Sequence, residues 1–196
     1  MGKQSGIASN PGPAADRASD IAAGAQKAGL RGPAPVHLWN PPYCGEMDME
    51  IRADGTWFHE GSPIGRPGMV RMFSNILKFE DGRHYLVTPV EKIGIKVEDS
   101  PFIAVDVEIG DDLVTFQTNV GDSVVLDADH PLVIEGSPDE PRPYVMVRGG
   151  LRARIDRKSF YRLAECASPG PDGRLGLRSS GLFHELESPW QGSPQT

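Results

Sequence analysis

Between positions 36 and 166, apolar residues recur in short runs separated by turns that place glycine beside aspartate. Residues 49–52 and 56–59 flank Asp54-Gly55. Asp-Gly between two such runs predicts a type I′ hairpin, whose two central residues both take positive φ. Asp81-Gly82, Gly110-Asp111 and Gly121-Asp122 repeat the signal, and strand-like runs follow at 85–88, 93–97, 103–107, 113–116, 124–126, 132–134 and 144–147. The period changes twice. After Pro67, which suits a first helical position, Met69, Met72, Phe73, Ile76 and Leu77 recur at spacings of three and four, so Arg71, Asn75 and Lys78 should face water. These methionines are read as core packing rather than as a binding groove. A second helix should begin at Asp156, a good N-cap residue, with Phe160, Leu163 and Ala164 on its inner face.

The pattern is that of an α+β chain dominated by antiparallel β, folded as two small β-roll or barrel-like lobes with about one helix each. An internal duplication is suggested: residues 85–87 align with 144–146 and residues 93–98 with 151–156, while Pro63-Ile64 echoes Pro131-Leu132. The lobes then divide near Asp99-Ser100-Pro101, giving an N-terminal α+β lobe over 36–99 and a C-terminal β-rich lobe over 100–166. Residues 1–35 contain nine Ala, six Gly and four Pro and no aromatic, so they bury too little surface to offset their ordering entropy. They are expected to be a disordered tail, with at most a transient helix over 18–30. Residues 167–196, with five Gly, four Pro and five Ser, are expected to be a flexible tail carrying one apolar patch at 181–186. Trp39, Pro41, Pro42 and Tyr43 should form a strap packed on the first lobe, since a tryptophan left in water forfeits a large burial gain.

Composition narrows the class. The chain has 196 residues with 23 Gly and 18 Pro, which argues against a tight helical bundle. No apolar run approaches the roughly 18 residues of a membrane-spanning helix. The first residues lack the apolar stretch of a secretory signal, Asp16 and Asp20 argue against a transit peptide, and Gly6 breaks a myristoylation pattern. A cytoplasmic location follows as the expectation, with Cys44 and Cys166 as free thiols. These two cysteines, without CxxC, exclude a zinc knuckle on cysteine alone. A formal net charge of −7 opposes the counterion-release term of nucleic-acid binding, and the aromatics do not interleave with the basic residues as a stacking platform would require.

Charge distribution points to a candidate site. Residues 91–140 carry two basic and 13 acidic side chains, and residues 141–165 carry seven basic and two acidic. The two segments either neutralise each other across a lobe interface or leave the arginines free to bind phosphate or carboxylate, which suits the planar guanidinium fork. On a strand, Arg152 and Arg154 share one face while Leu151, Ala153 and Ile155 point inward. The residues favoured for an anionic ligand are Arg148, Arg154 and Arg157, with Arg66 and Lys92 contributing from the first lobe; Arg154→Glu should then weaken binding without unfolding the protein. Metal-ligand flavour is confined to His59-Glu60 and to Asp127, Asp129 and His130, with no HExxH, and Asp127 to His130 reads as a polar turn before Pro131. Cys44 would be a nucleophile if paired with His59 or His84, and a small buried residue beside Gly45 explains it equally well. There is no GxSxG, P-loop or GxGxxG, and residues 61–65 are no phosphate cradle because Pro63 has no N–H to donate. The expected function is a non-enzymatic module that takes an anionic small molecule or a partner protein at the lobe junction, without cofactor. A metal-assisted hydrolase and a scaffolding protein are the alternatives.

Several strings carry a family resemblance. They are Cys44-Gly45, residues 54–57, 61–66 and 85–92, Pro101-Phe102, 117–119, 130–132 and 148–157. In this order, over essentially residues 38–165, the chain resembles the bacterial family DUF1285. The resemblance implies a two-lobed α+β architecture of small β-rolls with some similarity to pleckstrin-homology-like barrels. It implies no activity, and no functional residue is carried over from it.

Overall fold

The structure, a computed structural model, describes residues 32–137 and 140–186 together with Ile21 and Ala23. After a 3-10 turn at Val36–Leu38, the first lobe runs through β1 (Tyr43–Ile51), β2 (Trp57–His59), β3 (Ser62–Pro63), α1 (Pro67–Asn75), β4 (Leu77–Glu80), β5 (Arg83–Val87) and β6 (Lys92–Val97). The second runs through β7 (Phe102–Ile109), β8 (Val114–Thr118), β9 (Ser123–Val125), β10 (Leu132–Ser137), β11 (Glu140–Arg148), β12 (Leu151–Ile155) and α2 (Arg157–Glu165). A third, three-stranded sheet is made of β13 (Ser168–Pro169), β14 (Leu175–Ser179) and β15 (Leu182–Glu185).

The two lobes trace the same circuit. Their six-stranded sheets are ordered β3-β2-β1-β6-β5-β4 and, read from the other edge, β9-β8-β7-β12-β11-β10. In each, the first strand lies parallel to the last, β1 beside β6 and β7 beside β12, and the other pairings are antiparallel. The sequence alignment of 85–87 with 144–146 and of 93–98 with 151–156 therefore matches β5 with β11 and β6 with β12. The Pro63/Pro131 echo has no topological counterpart, since Pro63 lies in a third strand and Pro131 precedes a fourth.

Turn chemistry explains the tight hairpins. Glu60-Gly61, Asp81-Gly82, Gly149-Gly150 and Ser180-Gly181 each have positive φ at both positions and join paired strands through two residues. That is the I′ geometry, whose twist matches the strands it joins. Asp54-Gly55 differs from the sequence expectation. Only Gly55 has positive φ there, because Ile51 pairs with Trp57 across a wider five-residue loop closed by Arg52 N–H to Thr56 O.

One apolar cluster spans both lobes, with Trp57 stacked on Phe73 at 6.3 Å between ring centroids. Helix α1 is shorter than the apolar spacing suggested: Ile76 caps it and Leu77 and Lys78 start β4, although Ile76 and Leu77 are buried as expected. In α2, Asp156 caps through Oδ1, which accepts the Ser159 N–H at 2.7 Å; Leu163 is buried, but Ala164 is exposed. Trp39 packs partly buried against the cluster, whereas Tyr43 stays half exposed, edge-on to Tyr85.

Both tails contribute more than their composition implied. Most of the N-terminal tail and of the 18–30 helix lies outside the described residues, but Ile21 is helical and buried in the core cluster. Ala34 is buried and donates its N–H to Asn75 O at 2.8 Å. Residues 168–186, expected to be flexible, form the third sheet, which docks on the second lobe: Ser179 Oγ accepts the Val114 N–H at 3.0 Å, and Leu177 and Leu186 enter the core. Residues 187–196 lie outside the described residues. Among the described residues no helix is long and apolar enough to cross a membrane.

Candidate functional site

Strand β12 places the arginine stretch. Leu151, Ala153 and Ile155 are buried, which turns Arg152 and Arg154 to the opposite face of the sheet. That face meets carboxylates from the acidic segment. Arg154 Nη1 lies 3.0 Å from Asp99 Oδ2, and Asp99 Oδ1 accepts the Tyr144 hydroxyl at 2.7 Å. Burial and this carboxylate push the Tyr144 hydroxyl up to about 12. Arg152 pairs with Glu135 at 2.5 Å and covers the Tyr144 ring at 3.9 Å, and Arg162 pairs with Asp106 at 2.6 Å.

Arg148, at the end of β11, ties the lobes together. Its Nη1 pairs with Asp122, its Nη2 donates to Ser74 O at the end of α1 at 2.9 Å, and its guanidinium covers the Phe102 ring at 4.9 Å. Lys92 is also occupied: it lies 2.6 Å from Glu80, which Lys78 approaches from the other side at 2.8 Å. The two ammonium groups hold the Glu80 carboxyl down at about 2. Among the described residues, four of the seven basic side chains of 141–165, Arg148, Arg152, Arg154 and Arg162, thus pair with carboxylates of the acidic segment. Of the five residues favoured from sequence, Arg148, Arg154 and Lys92 have internal carboxylate partners, whereas Arg157 and Arg66 have no ion-pair partner among the described residues.

The structure brings two of the five together. Arg154 and Arg157 border a cleft of about 510 Å³ at the lobe junction. Its second-lobe side is built from the β11 residues Glu140, Pro141 and Pro143 and from Phe160 and Tyr161 on α2; Ala53 and Asp54 of the β1–β2 loop supply the first-lobe wall. Arg157 is exposed at the first position of α2, one turn from Tyr161, which is 58% exposed. Asp54, Glu140 and Asp156 line the same cleft. Hydrogen bonds from Thr56 hold the Asp54 carboxyl below its usual range. Arg66 lies elsewhere, in a recess of about 250 Å³ beside His59 and Met69. Sequence reasoning missed Tyr161, an aromatic on the water-facing side of α2, and Asp99, the acceptor that occupies Arg154.

The candidates for other chemistry stay apart. Asp127 Oδ1 accepts the backbone N–H groups of Asp129 and His130 and lies 2.9 Å from His130 Nδ1, a polar turn in geometry. His59 carries a buried Nε2 with no hydrogen-bond partner among the described residues. Among the described residues no three His, Cys, Asp or Glu side chains gather in a way that could hold a metal ion. Cys44 is exposed, its thiol donating to Pro42 O at 3.4 Å, and Cys166 is an exposed free thiol.

Comparison with known proteins covers both lobes and the third sheet. Residues 34–100 match the domain of unknown function (DUF1285), N-terminal domain, and residues 101–186 match the protein of unknown function (DUF1285), C-terminal domain. Among solved structures, the chain is similar to a DUF1285 family protein from Silicibacter pomeroyi DSS-3, with 55% identity and a TM-score of 0.78 over 86% of this chain and 94% of that one. It is also similar to a DUF1285 family protein from Shewanella baltica OS155, with 25% identity and a TM-score of 0.51 over 61% of this chain and 91% of that one. No curated protein matches.

Proposed function

The chain belongs to the DUF1285 family, and from that premise we propose that it is a non-enzymatic binding module whose cleft beside α2 takes an extended segment of a partner protein, with an acidic side chain set against Arg157. The observation that carries the reading is Arg157, exposed and without an ion-pair partner among the described residues, one helical turn from the exposed Tyr161 in a cleft walled by both lobes. Arginine and tyrosine are, with tryptophan, the side chains enriched where binding energy concentrates. Arg154 supports Arg157 less than its charge suggests, because Asp99 already takes one of its N–H groups.

Mixed charge favours a peptide over a small polyanion. Among the described residues three carboxylates line the cleft against two guanidinium groups, so a multiply charged anion would meet repulsion on most approaches. A polypeptide can set an acid on Arg157 and lay apolar side chains on Phe160, Tyr161 and the two prolines. Selection of random peptides displayed against the immobilised full-length protein tests this. Enrichment of segments with an acid beside apolar residues is expected, with binding lost in Arg157→Glu at an unchanged melting temperature. No enrichment, or the same peptides selected by the variant, would refute the reading.

A further inference from the structure

A second groove at the lobe junction differs in charge. It has a volume of about 610 Å³ and is lined from the first lobe by the loop before β2, Trp57 and the first turn of α1, and from the second lobe by residues 119–121. Among the described residues no acidic side chain lines it. Arg71, exposed and without an ion-pair partner among the described residues, reaches across to the second lobe. Its Nη1 would lie 3.1 Å from a Cβ added at Gly121.

The beginning of α1 is unusual in the same direction. A helix N-terminus presents unpaired N–H groups and a partial positive charge, which side-chain acceptors or acids normally answer. Here the N-cap is Arg66, the first turn holds no acid, and no side chain among the described residues caps the helix. Gly68, whose N–H has no acceptor within the helix, lines the groove and leaves open space where its side chain would be. An independent observation comes from Trp57. It is 99% buried and forms part of the groove wall, and its indole N–H is buried with no hydrogen-bond partner among the described residues. Leaving such a donor unmet costs on the order of 1–3 kcal/mol.

We propose that this groove binds an organic phosphate monoester. The phosphate lies between the Arg71 guanidinium and the first turn of α1, and a compact apolar body lies along Ile64, Val70 and Val120. The volume exceeds what a bare phosphate fills, and the apolar walls give the remainder of the ligand a surface to cover. The site shares no lining residue with the α2 cleft, so each stands or falls without the other.

Nitrogen–proton NMR of the full chain tests the assignment with three probes: phenyl phosphate, inorganic phosphate and benzyl alcohol. The chain has three tryptophans, so Trp39→Phe and Trp190→Phe identify the Trp57 indole signal by elimination. Saturable movement of that signal and of the Gly68 amide with phenyl phosphate is expected, with weaker binding of inorganic phosphate and none of benzyl alcohol. Arg71→Ala should weaken phenyl phosphate about tenfold or more, the scale of a charge-assisted hydrogen bond. Gly68→Glu is the sharper variant: a carboxylate in the first turn suits the helix and should leave the melting temperature level or raised, yet it should abolish phosphate binding. The proposal is overturned by no saturable shift up to about 20 mM phenyl phosphate, by equal affinity for phenyl and inorganic phosphate, or by unchanged affinity in both variants.

Discussion

Arg148 is the side chain on which the two lobes most visibly depend, so its removal is the most informative perturbation. Arg148→Ala deletes the ion pair with Asp122, the hydrogen bond to Ser74 O and the stacking on Phe102. Asp122 is left with its side chain only 17% exposed and no cation. Breaking a buried ion pair by removing one partner costs about 3–5 kcal/mol. Arg148 keeps 21% of its side-chain surface in water, which places this pair at the low end, at about 3 kcal/mol. Against a total stability of about 5–15 kcal/mol this is a large loss. Urea unfolding should be followed by tryptophan fluorescence, which includes Trp57 of the first lobe, and by far-ultraviolet circular dichroism, which sees both sheets. The midpoint should fall, and the two probes should separate as the lobes begin to unfold independently. Asp122 lies in the same lobe as Arg148, so a cycle with Asp122→Ala, expected to couple by at least about 1 kcal/mol, isolates the ion pair, and the separation of the probes reports the tie to Ser74 O. A loss below about 0.5 kcal/mol with coincident probes would refute the claim that Arg148 joins the lobes.

Arg154→Glu should unfold more easily than the parent, because it sets a carboxylate against Asp99; a melting temperature within a degree or two of the parent would contradict the pairing at 3.0 Å. Burial, with Arg152 adding to it, pushes the His84 imidazole down to about 4 from 6.5, so the unfolded chain takes up its proton first. The His84 contribution to stability should therefore fall away as pH drops from about 6.5 towards 4 and level off below, where protonation of the depressed Glu80 and Asp54 carboxylates continues the loss. His84→Phe, beside Phe79, should flatten that limb in part, since burial also lowers His184; an unchanged pH dependence of the urea midpoint would refute the assignment. Gly55→Ala should cost on the order of 1–3 kcal/mol in urea unfolding, because φ is +81° and the new methyl would lie 2.7 Å from Ile103 and 2.8 Å from Asn119. A change below about 0.5 kcal/mol would show that the loop relaxes freely.

The architecture was legible wherever a local signal carried it. Asp156 announced α2 because a cap is a property of one residue and its next turn, and alternation in 151–155 announced which face of β12 is buried. The matching of β5 with β11 and β6 with β12 showed because those strands hold the same place in two equal circuits. The third sheet was not legible, since Gly and Pro dilute its strands and Ser179 and Leu177 gain their role only by touching the second lobe. The site was legible in part for the same reason. Sequence gives the number of arginines in 141–165 but not which carboxylates reach them, so Arg148 and Arg154 could not be told from Arg157. Arg71 passed as a solvent-facing residue because nothing along the chain shows that Gly121 of the other lobe lies beside it.

The parallel pairing of first and last strands governs how such lobes can be joined. A lobe that begins with β1 and finishes with β6 beside it, running the same way, is entered at one end of its sheet and left at the other. The next copy can therefore start after only the four residues between Val97 and Phe102, and a third could in principle be strung on by the same rule. Rewiring a lobe end to start would instead need a tether spanning the six residues of β6, about 20 Å. Tandem growth of this fold is geometrically easy, whereas circular permutation within one lobe is obstructed.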